Sequence, residues 1–367
     1  MSRAAVFHAP EEPFRLEDFP LPEPTDGAAL VRISCATICG SDLHSYFGRR
    51  PAPVPSVLGH EMVGRICALG PGGVLDFDGR ALAVGDRVTW SMVWTCGSCF
   101  YCQWGPKPKC ERLMKFGHER IGTDGTGKGW DLVGGFAEHC LLPAGTAIFL
   151  IPNGVPDSVA APANCATATV ASVLRHAGDL TGETVVVVGA GMLGLTACAM
   201  ASADGAAQII AVETDPARRE MARSFGASAV LDGCLPTTEL RCQVVELTGG
   251  RGAEVVMEFS GMSEAVEAGF ELLRHGGRMM LAGSTFPARG VSISAEQVVR
   301  RMIRLQGIYN YEPRDLGRAL EFLASFGDRF PFVKLVGKSF PLEQVQEAFE
   351  YADRERPFRV AVLPGTG

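Results

Sequence analysis

Two textures of hydrophobic and polar positions divide this 367-residue chain. Up to about residue 154 the apolar residues fall in short runs, "AAVFH", "AALVRISCATI", "MVGRICAL" and "DRVTW", separated by Gly- and Pro-rich stretches. That pattern predicts an irregular, mostly β domain with long loops. Past Pro152 the texture changes. "ETVVVVGAG" reads as a buried strand, "MLGLTACAMASADGA" as a helix, "QIIAVE" as a strand and "DPARREMARSFGA" as an amphipathic helix. The alternation continues through "AEVVMEFSG", "SEAVEAGFELLRHGG" and "RMMLAG". Alternating strands and helices predict an α/β fold with a doubly wound parallel sheet covered on both faces. The tail adds helices in "DLGRALEFLASFG" and "LEQVQEAFEYADR" and a last strand, "FRVAVL".

Composition narrows the class. Apolar residues make up 47% and charged residues 20%, the balance of a soluble globular protein. A net charge of −7 opposes nucleic-acid binding, which needs a basic surface. The N-terminal stretch "MSRAAVFHAPEEPFRLEDF" has no apolar core of a secretory signal, and "TVVVVGAG" is too short to span a bilayer. The expected setting is cytoplasmic, with no membrane or nucleic-acid partner. In that setting twelve cysteines point to metal or redox chemistry before disulfides.

Four of them, Cys96, Cys99, Cys102 and Cys110, share one short loop at spacing C-x2-C-x2-C-x7-C. Disulfides inside so tight a loop would be strained. Four thiolates suit tetrahedral zinc and leave no open position, so a structural ion is expected in a lobe at 94–112. A nucleic-acid-binding zinc ribbon is the alternative, but Lys107, Lys109, Arg112 and Lys115 flank one side only. Cys35, Cys67, Cys140, Cys198, Cys234 and Cys242 read as small apolar residues.

"VVVVGAGMLG" places Gly189, Gly191 and Gly194 as G-x-G-x-x-G between a strand and a helix, the context of a Rossmann dinucleotide fingerprint. Gly189 permits the tight turn, Gly191 lets the backbone approach a pyrophosphate and Gly194 lets helix and strand pack closely. Met192 and Leu193 complete the turn, whose helix N-terminus offers N–H groups to phosphates. Glu213, 19 residues after Gly194, can accept hydrogen bonds from a ribose and repel a 2′-phosphate, which favours NAD over NADP. Arg218, with Arg219 beside it, can cover the adenine or meet a phosphate. Ser260, closing "AEVVMEFSG", is a further cofactor-binding candidate.

Upstream, "CATICGSDLHSYFG" and "VLGHEMVGRI" hold Cys39 and His60, suitable ligands for an open catalytic zinc. Together with the cysteine lobe, "GGFAEH", "VVVVGAGMLGL" and "FPLEQVQEAFE", in this order and nearly end to end, they resemble the zinc-containing medium-chain alcohol dehydrogenases. The resemblance implies a GroES-like catalytic domain at 1–154, a Rossmann domain inserted at 155–308, and a C-terminal part at 309–367 that returns to the catalytic domain. It implies a homodimer or homotetramer and two zinc ions per subunit. It makes Cys39, His60 and Cys165 catalytic zinc ligands, with Glu61 beside them able to approach the metal and Asp42 orienting His60. It places Thr169 against the nicotinamide. It implies that the Ser41 hydroxyl takes the alcohol proton and relays it through the cofactor ribose to His44, while hydride passes to the nicotinamide. The resemblance also implies that the third ligand differs between branches, a cysteine in ordinary alcohol dehydrogenases and a glutamate in many polyol and threonine dehydrogenases.

The implied substrate is a small-molecule alcohol or, in reverse, an aldehyde or ketone. "APANCATATV" is similar to a subgroup associated with phosphonate catabolism, which makes a hydroxyalkylphosphonate a candidate. Arg49, Arg50, Lys115, Arg120 and Lys128 are the cations an anionic substrate would use. A non-catalytic NAD-binding scaffold is the alternative of another class, and it would be expected to have lost part of the ligand and relay set. A polyol or threonine dehydrogenase is the alternative within the chemistry.

Overall fold

The computed structural model describes residues 1–122 and 131–365, so Lys128 lies outside the described residues. Two compact units result. The first comprises Met1–Cys165, Glu312–Ala324 and Phe332–Gly367; the second comprises Ala166–Tyr311 and Ser325–Pro331.

In the first unit the strand Ala29–Ile38 is the organising element. It pairs antiparallel with Glu61–Leu69 on one side and with the C-terminal strand Arg359–Leu363 on the other. Ladder partners Thr37↔Glu61 and Ile38↔Val360 therefore bring residues from the two ends of the chain to one spot. Eight of the ten residues of Ala29–Ile38 are buried, as expected of a strand covered on both faces. The core includes Phe7, Ile33, Leu58, Met62, Trp90, Phe136 and Phe349. The helix Val345–Glu355 buries Val345, Ala348, Phe349 and Ala352, the i, i+3, i+4, i+7 stripe of an amphipathic helix.

The first unit runs on past residue 154 because its next segment is tied down. Ser34 Oγ and Arg87 Nε donate to Asp157, each at 2.5 Å, and Arg87 also donates to the Val155 carbonyl. Asn164 Nδ2 donates to the Trp90 carbonyl at 3.1 Å. Cys165 is thereby held within this unit.

The second unit carries six parallel strands: β1 (Thr184–Val188), β2 (Gln208–Glu213), β3 (Ala229–Asp232), β4 (Ala253–Glu258), β5 (Leu273–Leu281) and β6 (Arg304–Gly307). Their order is 3-2-1-4-5-6, the doubly wound dinucleotide-binding arrangement, with its switch point between β1 and β4. The four valines of β1 are buried, and the helix Met192–Ala203 that follows is buried almost all round. The helix Pro216–Ser224 starts as its sequence dictates. Asp215 caps it by accepting from the Ala217 and Arg218 N–H groups, and Pro216 occupies the first turn.

The segment ahead of the helix Ala295–Arg301 is clamped by Arg289. Its guanidinium donates to Glu264 and to both oxygens of Glu267, all at 2.8 Å, and the Ser292 N–H also donates to Glu267. Those bonds, Arg289 foremost, hold the Glu267 carboxyl down to about 2 from its ordinary 4.5. A depressed carboxyl stabilises the fold above its unfolded pKa and ceases to do so as pH falls through the folded value. Arg289→Ala is thus expected to lower the melting temperature by a degree or two, roughly, at pH 7, the site being largely exposed. The difference from wild type should shrink between pH 4.5 and 2. A constant difference across that window in a calorimetric pH series would show that Glu267 is not the group involved.

Candidate metal centre and dinucleotide site

Cys39 is the N-cap of the helix Gly40–Tyr46, where Asp42 closes a capping box by accepting from the Cys39 N–H at 2.9 Å. The other Asp42 oxygen faces His60 Nδ1 at 3.2 Å and the Gly59 N–H at 3.4 Å. Asp42 is fully buried. One carboxylate thus fixes both the turn that presents Cys39 and the ring of His60, the support a metal-binding histidine needs. His60 Nε2 lies 3.3 Å from Ser41 Oγ. Glu61 accepts from Thr37 Oγ1 at 2.6 Å and from Arg359 Nε and Nη2 at 2.6 and 2.7 Å. Arg359 Nη2 also reaches Cys39 Sγ at 3.6 Å. Cys165 follows the 3-10 turn Ala161–Asn164.

The ligand atoms of Cys39, His60, Glu61 and Cys165 all lie within 4.8 Å of one another. A hydrogen bond from Cys165, with the positive Arg359 and His60, holds the Cys39 thiol well below its ordinary range despite burial. The same bond, and then burial, push Cys165 well above it. The two sulfurs share one hydrogen bond, whose proton a divalent cation binding both would displace. Burial opposes protonation of His60, but Asp42 lifts it to about 9. Two sulfurs, an imidazole and a neighbouring carboxylate fit a zinc site that keeps a position open.

The cysteine lobe fits a closed site. Its sulfurs are 3.5 Å (Cys99–Cys102), 3.8 Å (Cys99–Cys110) and 3.9 Å (Cys96–Cys102) apart. A tetrahedron with zinc–sulfur arms of about 2.3 Å has edges of about 3.8 Å, whereas a disulfide is about 2.05 Å long. All twelve cysteines are unpaired.

Ser41 and His44 share the helix Gly40–Tyr46, three residues apart and so on one face. Burial first, then the charges of Arg49 and Arg50, lower the His44 pKa, which keeps the ring neutral near pH 7.

In the second unit, Gly189 has φ +90°, and a Cβ there would lie 3.0 Å from the Ser260 nitrogen. A Cβ on Gly194 would sit 1.8 Å from the Gly189 carbonyl oxygen, so only glycine permits this helix–strand approach. Gly191 is the N-cap of the helix that begins with Met192 and Leu193. Among the described residues only an Arg218 nitrogen, at 4.0 Å, stands near its missing Cβ. Glu213 Oε2 accepts from the Ala190 N–H at 2.7 Å, and Oε1 accepts from the N–H groups of Thr214 and Asp215. Arg219 is turned to the Glu213 and Thr214 carbonyls and to Asp232. Ser260 donates its N–H and hydroxyl to the buried Glu258, at 2.6 and 2.5 Å. Thr169 is buried on the helix Ala166–Ala177.

Sequence reasoning missed Arg359 and Thr37, which flank Glu61. An arginine inside the otherwise apolar strand "FRVAVL" was the available signal, because a buried charge demands a partner. It also passed over His118, whose ring centroid is 5.1 Å from that of His60.

Comparison with known proteins agrees with this geometry. Residues 25–153 match the family model for the alcohol dehydrogenase GroES-like domain, and residues 193–325 match the one for zinc-binding dehydrogenase. The chain is 32% identical over 354 residues to 5-exo-hydroxycamphor dehydrogenase of Pseudomonas putida, covering 95% of each chain. It is 30% identical over 352 residues to an L-threonine 3-dehydrogenase of Anaeromyxobacter dehalogenans, covering 94% of this chain and 93% of that one. An alcohol dehydrogenase crystal structure from Thermotoga maritima superposes with a TM-score of 0.92 at 28% identity, covering 99% of both chains. Fold, ligand chemistry and relatives define an NAD(P)-dependent zinc oxidoreductase acting on CH–OH groups. The chain belongs to the zinc-containing medium-chain dehydrogenase family, that of the alcohol dehydrogenases. Among the described residues no helix is long and apolar enough to cross a membrane.

Proposed function

We propose that this enzyme oxidises an alcohol, reversibly, at the cluster of Cys39, His60 and Cys165, with NAD as the hydride acceptor. The observation that carries the reading is the convergence of those ligand atoms with Glu61 inside 4.8 Å. Cys39, His60 and Cys165 would hold the catalytic zinc, and Cys96, Cys99, Cys102 and Cys110 the structural one. Zinc, when bound, supplies Lewis acidity that makes a hydroxyl easier to deprotonate. A nicotinamide, when bound, would supply the hydride acceptor. Asp42 keeps the His60 ring oriented. Arg359 engages the Glu61 carboxylate. Ser41, 3.3 Å from His60, is placed to take the hydroxyl proton, and neutral His44 on the same helix face is placed to pass it on.

For the cofactor, Glu213 Oε2 has one donor and so keeps a lone pair for a ribose hydroxyl. Arg218, beside Gly191, suits a phosphate of the dinucleotide. Glu213 supports NAD over NADP, and Arg218 does not separate the two. Exposed Val299, Met302, Leu305 and Tyr309 on and around the edge strand β6 support a homodimer or homotetramer. Twelve unpaired cysteines support a reducing, cytoplasmic setting.

The deciding experiment follows nicotinamide reduction by zinc-loaded protein with NAD or NADP. The substrates are aliphatic alcohols, polyols, threonine and hydroxyalkylphosphonates. Turnover with NAD, fastest on a hydroxyalkylphosphonate, is the expected result. Turnover confined to threonine or polyols would move the chain to that branch, none at all with two zinc ions bound would return the substrate class to unknown, and a single bound ion without turnover would favour the scaffold reading. Light scattering of the same sample should exceed the monomer mass of 39.0 kDa. A monomer would end the oligomer proposal.

A further inference from the structure

Asp42 faces Nδ1 of His60, which leaves Nε2 of that ring for the catalytic zinc. The Nδ1 side carries a cluster of its own. One ligand atom each of Asp42, His60 and His118 lies within 4.8 Å of the other two, and no cysteine takes part. Asp42 Oδ1 and His60 Nδ1 are 3.2 Å apart. That matches the edge, about 3.3 Å, of a tetrahedron with metal–nitrogen and metal–oxygen arms of about 2.0 Å. The three residues are tied together at Gly59. Its N–H donates to Asp42 Oδ1 at 3.4 Å, and His60 is the next residue. A Cβ on Gly117, the residue before His118, would lie 2.4 Å from the Gly59 carbonyl oxygen. The turn that bears His118 is itself seated, since the Phe116 N–H donates to the Met92 carbonyl at 3.0 Å and the Gly117 N–H to the Val133 carbonyl at 2.8 Å. The His60 and His118 ring centroids are 5.1 Å apart.

His118 is the member whose chemistry is left incomplete. Its Nδ1 faces the Phe116 carbonyl at 3.3 Å. A carbonyl can only accept, so Nδ1 carries the proton and Nε2 of the neutral ring presents a lone pair. That Nε2 is buried and has no hydrogen-bond partner among the described residues. A buried acceptor without a donor is uncommon and costly, and a cation satisfies it as well as a donor does. Asp42 and His60 are 0% and 1% exposed, whereas His118 is half-buried, so an ion reaches the cluster past His118.

We infer that Asp42, His60 Nδ1 and His118 Nε2 form a further divalent-cation position, one that zinc in excess fills and that switches the enzyme off. Two nitrogens and a carboxylate oxygen suit zinc, cobalt or nickel and discriminate against magnesium and calcium. The proton inventory closes. With the catalytic ion alone, His60 keeps its proton on Nδ1, toward Asp42, and offers Nε2 to the metal. An ion at the further position takes Nδ1, and the ring proton moves to Nε2, where Ser41 Oγ at 3.3 Å accepts it. His60 is then lost to the catalytic ion, which is left to Cys39, Cys165 and Glu61. The inhibition rests on the dehydrogenase reading, but the binding position can be tested without it.

The test titrates zinc by calorimetry into the full chain already loaded with its two ions, for wild type and for His118→Ala. Wild type should take up a third ion, and turnover should fall over the same range of free zinc. Magnesium should do neither. His118→Ala should keep two ions and the basal turnover, which also shows that it folds. It should bind the third ion more than about 100-fold more weakly, because even residues that only support a metal ligand are worth about 10- to 100-fold in affinity. The zinc concentration that halves turnover should rise by the same factor. Cobalt added to the two-zinc protein should show d–d bands without the strong near-ultraviolet charge transfer of a cobalt–thiolate bond. No third ion in wild type, a third ion held equally well by His118→Ala, or cobalt bands with thiolate character would each overturn the position, and turnover would leave the dehydrogenase reading standing. Uptake that depends on His118, with no alcohol turned over, would uphold the position and sink the proposed function instead.

Discussion

Replacing Cys165 with alanine is expected to reduce zinc from two ions per subunit to one and to lower kcat/KM by at least about 10^3-fold, the several kcal/mol that Lewis-acid assistance contributes. The remaining ion belongs to the cysteine lobe, whose four sulfurs form a separate cluster that Cys165 does not enter. What remains at the other site is one thiolate, one imidazole and a carboxylate already held by Arg359 and Thr37. For Glu61 to replace the lost sulfur it would have to abandon two bonds to a guanidinium, so spontaneous compensation is disfavoured. Cys140→Ala is the control, since Cys140 is fully buried and lies outside the candidate ligand clusters of the described residues. Metal analysis by mass spectrometry beside steady-state kinetics decides the matter. Retention of two zinc ions and of activity would show that Glu61 completes the shell and would remove Cys165 from the ligand set.

Much of the fold could be read because its signals are local. A valine-rich strand running into G-x-G-x-x-G specifies a turn whose sterics the structure repeats residue by residue, down to the 1.8 Å clearance that forbids a side chain at Gly194. Four cysteines within one short loop likewise need no tertiary information to suggest a shared ion. The metal cluster was legible only in part. Cys39 and Asp42 sit on one helix turn, but Glu61 and Arg359 are 298 residues apart and meet only because the last strand pairs with Ala29–Ile38. No periodicity in "FRVAVL" reveals that neighbour. His118 gives no signal in the sequence for the same reason, since its approach to His60 depends on the close packing of Gly117 on Gly59. The adjacent residues Arg218 and Arg219 could not be told apart by type. They point about 100° apart on the helix, and only the structure shows which lies beside Gly191.

Arg359→Met is expected to destabilise the first unit by about 3–5 kcal/mol, the cost of leaving one member of a buried ion pair alone. The side chains of Arg359 and Glu61 are 7% and 0% exposed, so water cannot take over the lost bonds. Burial alone would lower the Arg359 pKa, yet Glu61 and Cys39 raise it above the ordinary value, which marks the guanidinium as the compensating charge for both. Glu61→Gln should cost less, because the guanidinium keeps Cys39 Sγ at 3.6 Å and the Phe358 carbonyl at 2.8 Å. The double variant Arg359→Met, Glu61→Gln should recover about half or more of the loss, since a neutral replacement of a whole buried pair is often well tolerated. All four tryptophans precede residue 131, so denaturant unfolding followed by tryptophan fluorescence reports this unit rather than the other. The four proteins should be compared zinc-loaded, because a bound ion stabilises the native state by mass action. Strict additivity of the two single substitutions would mean that the pair is not coupled, and Glu61 would then need another account of how its charge is tolerated. Coupling of several kcal/mol would identify Arg359 as the residue that keeps a carboxylate beside the zinc ligands while holding it back from the metal.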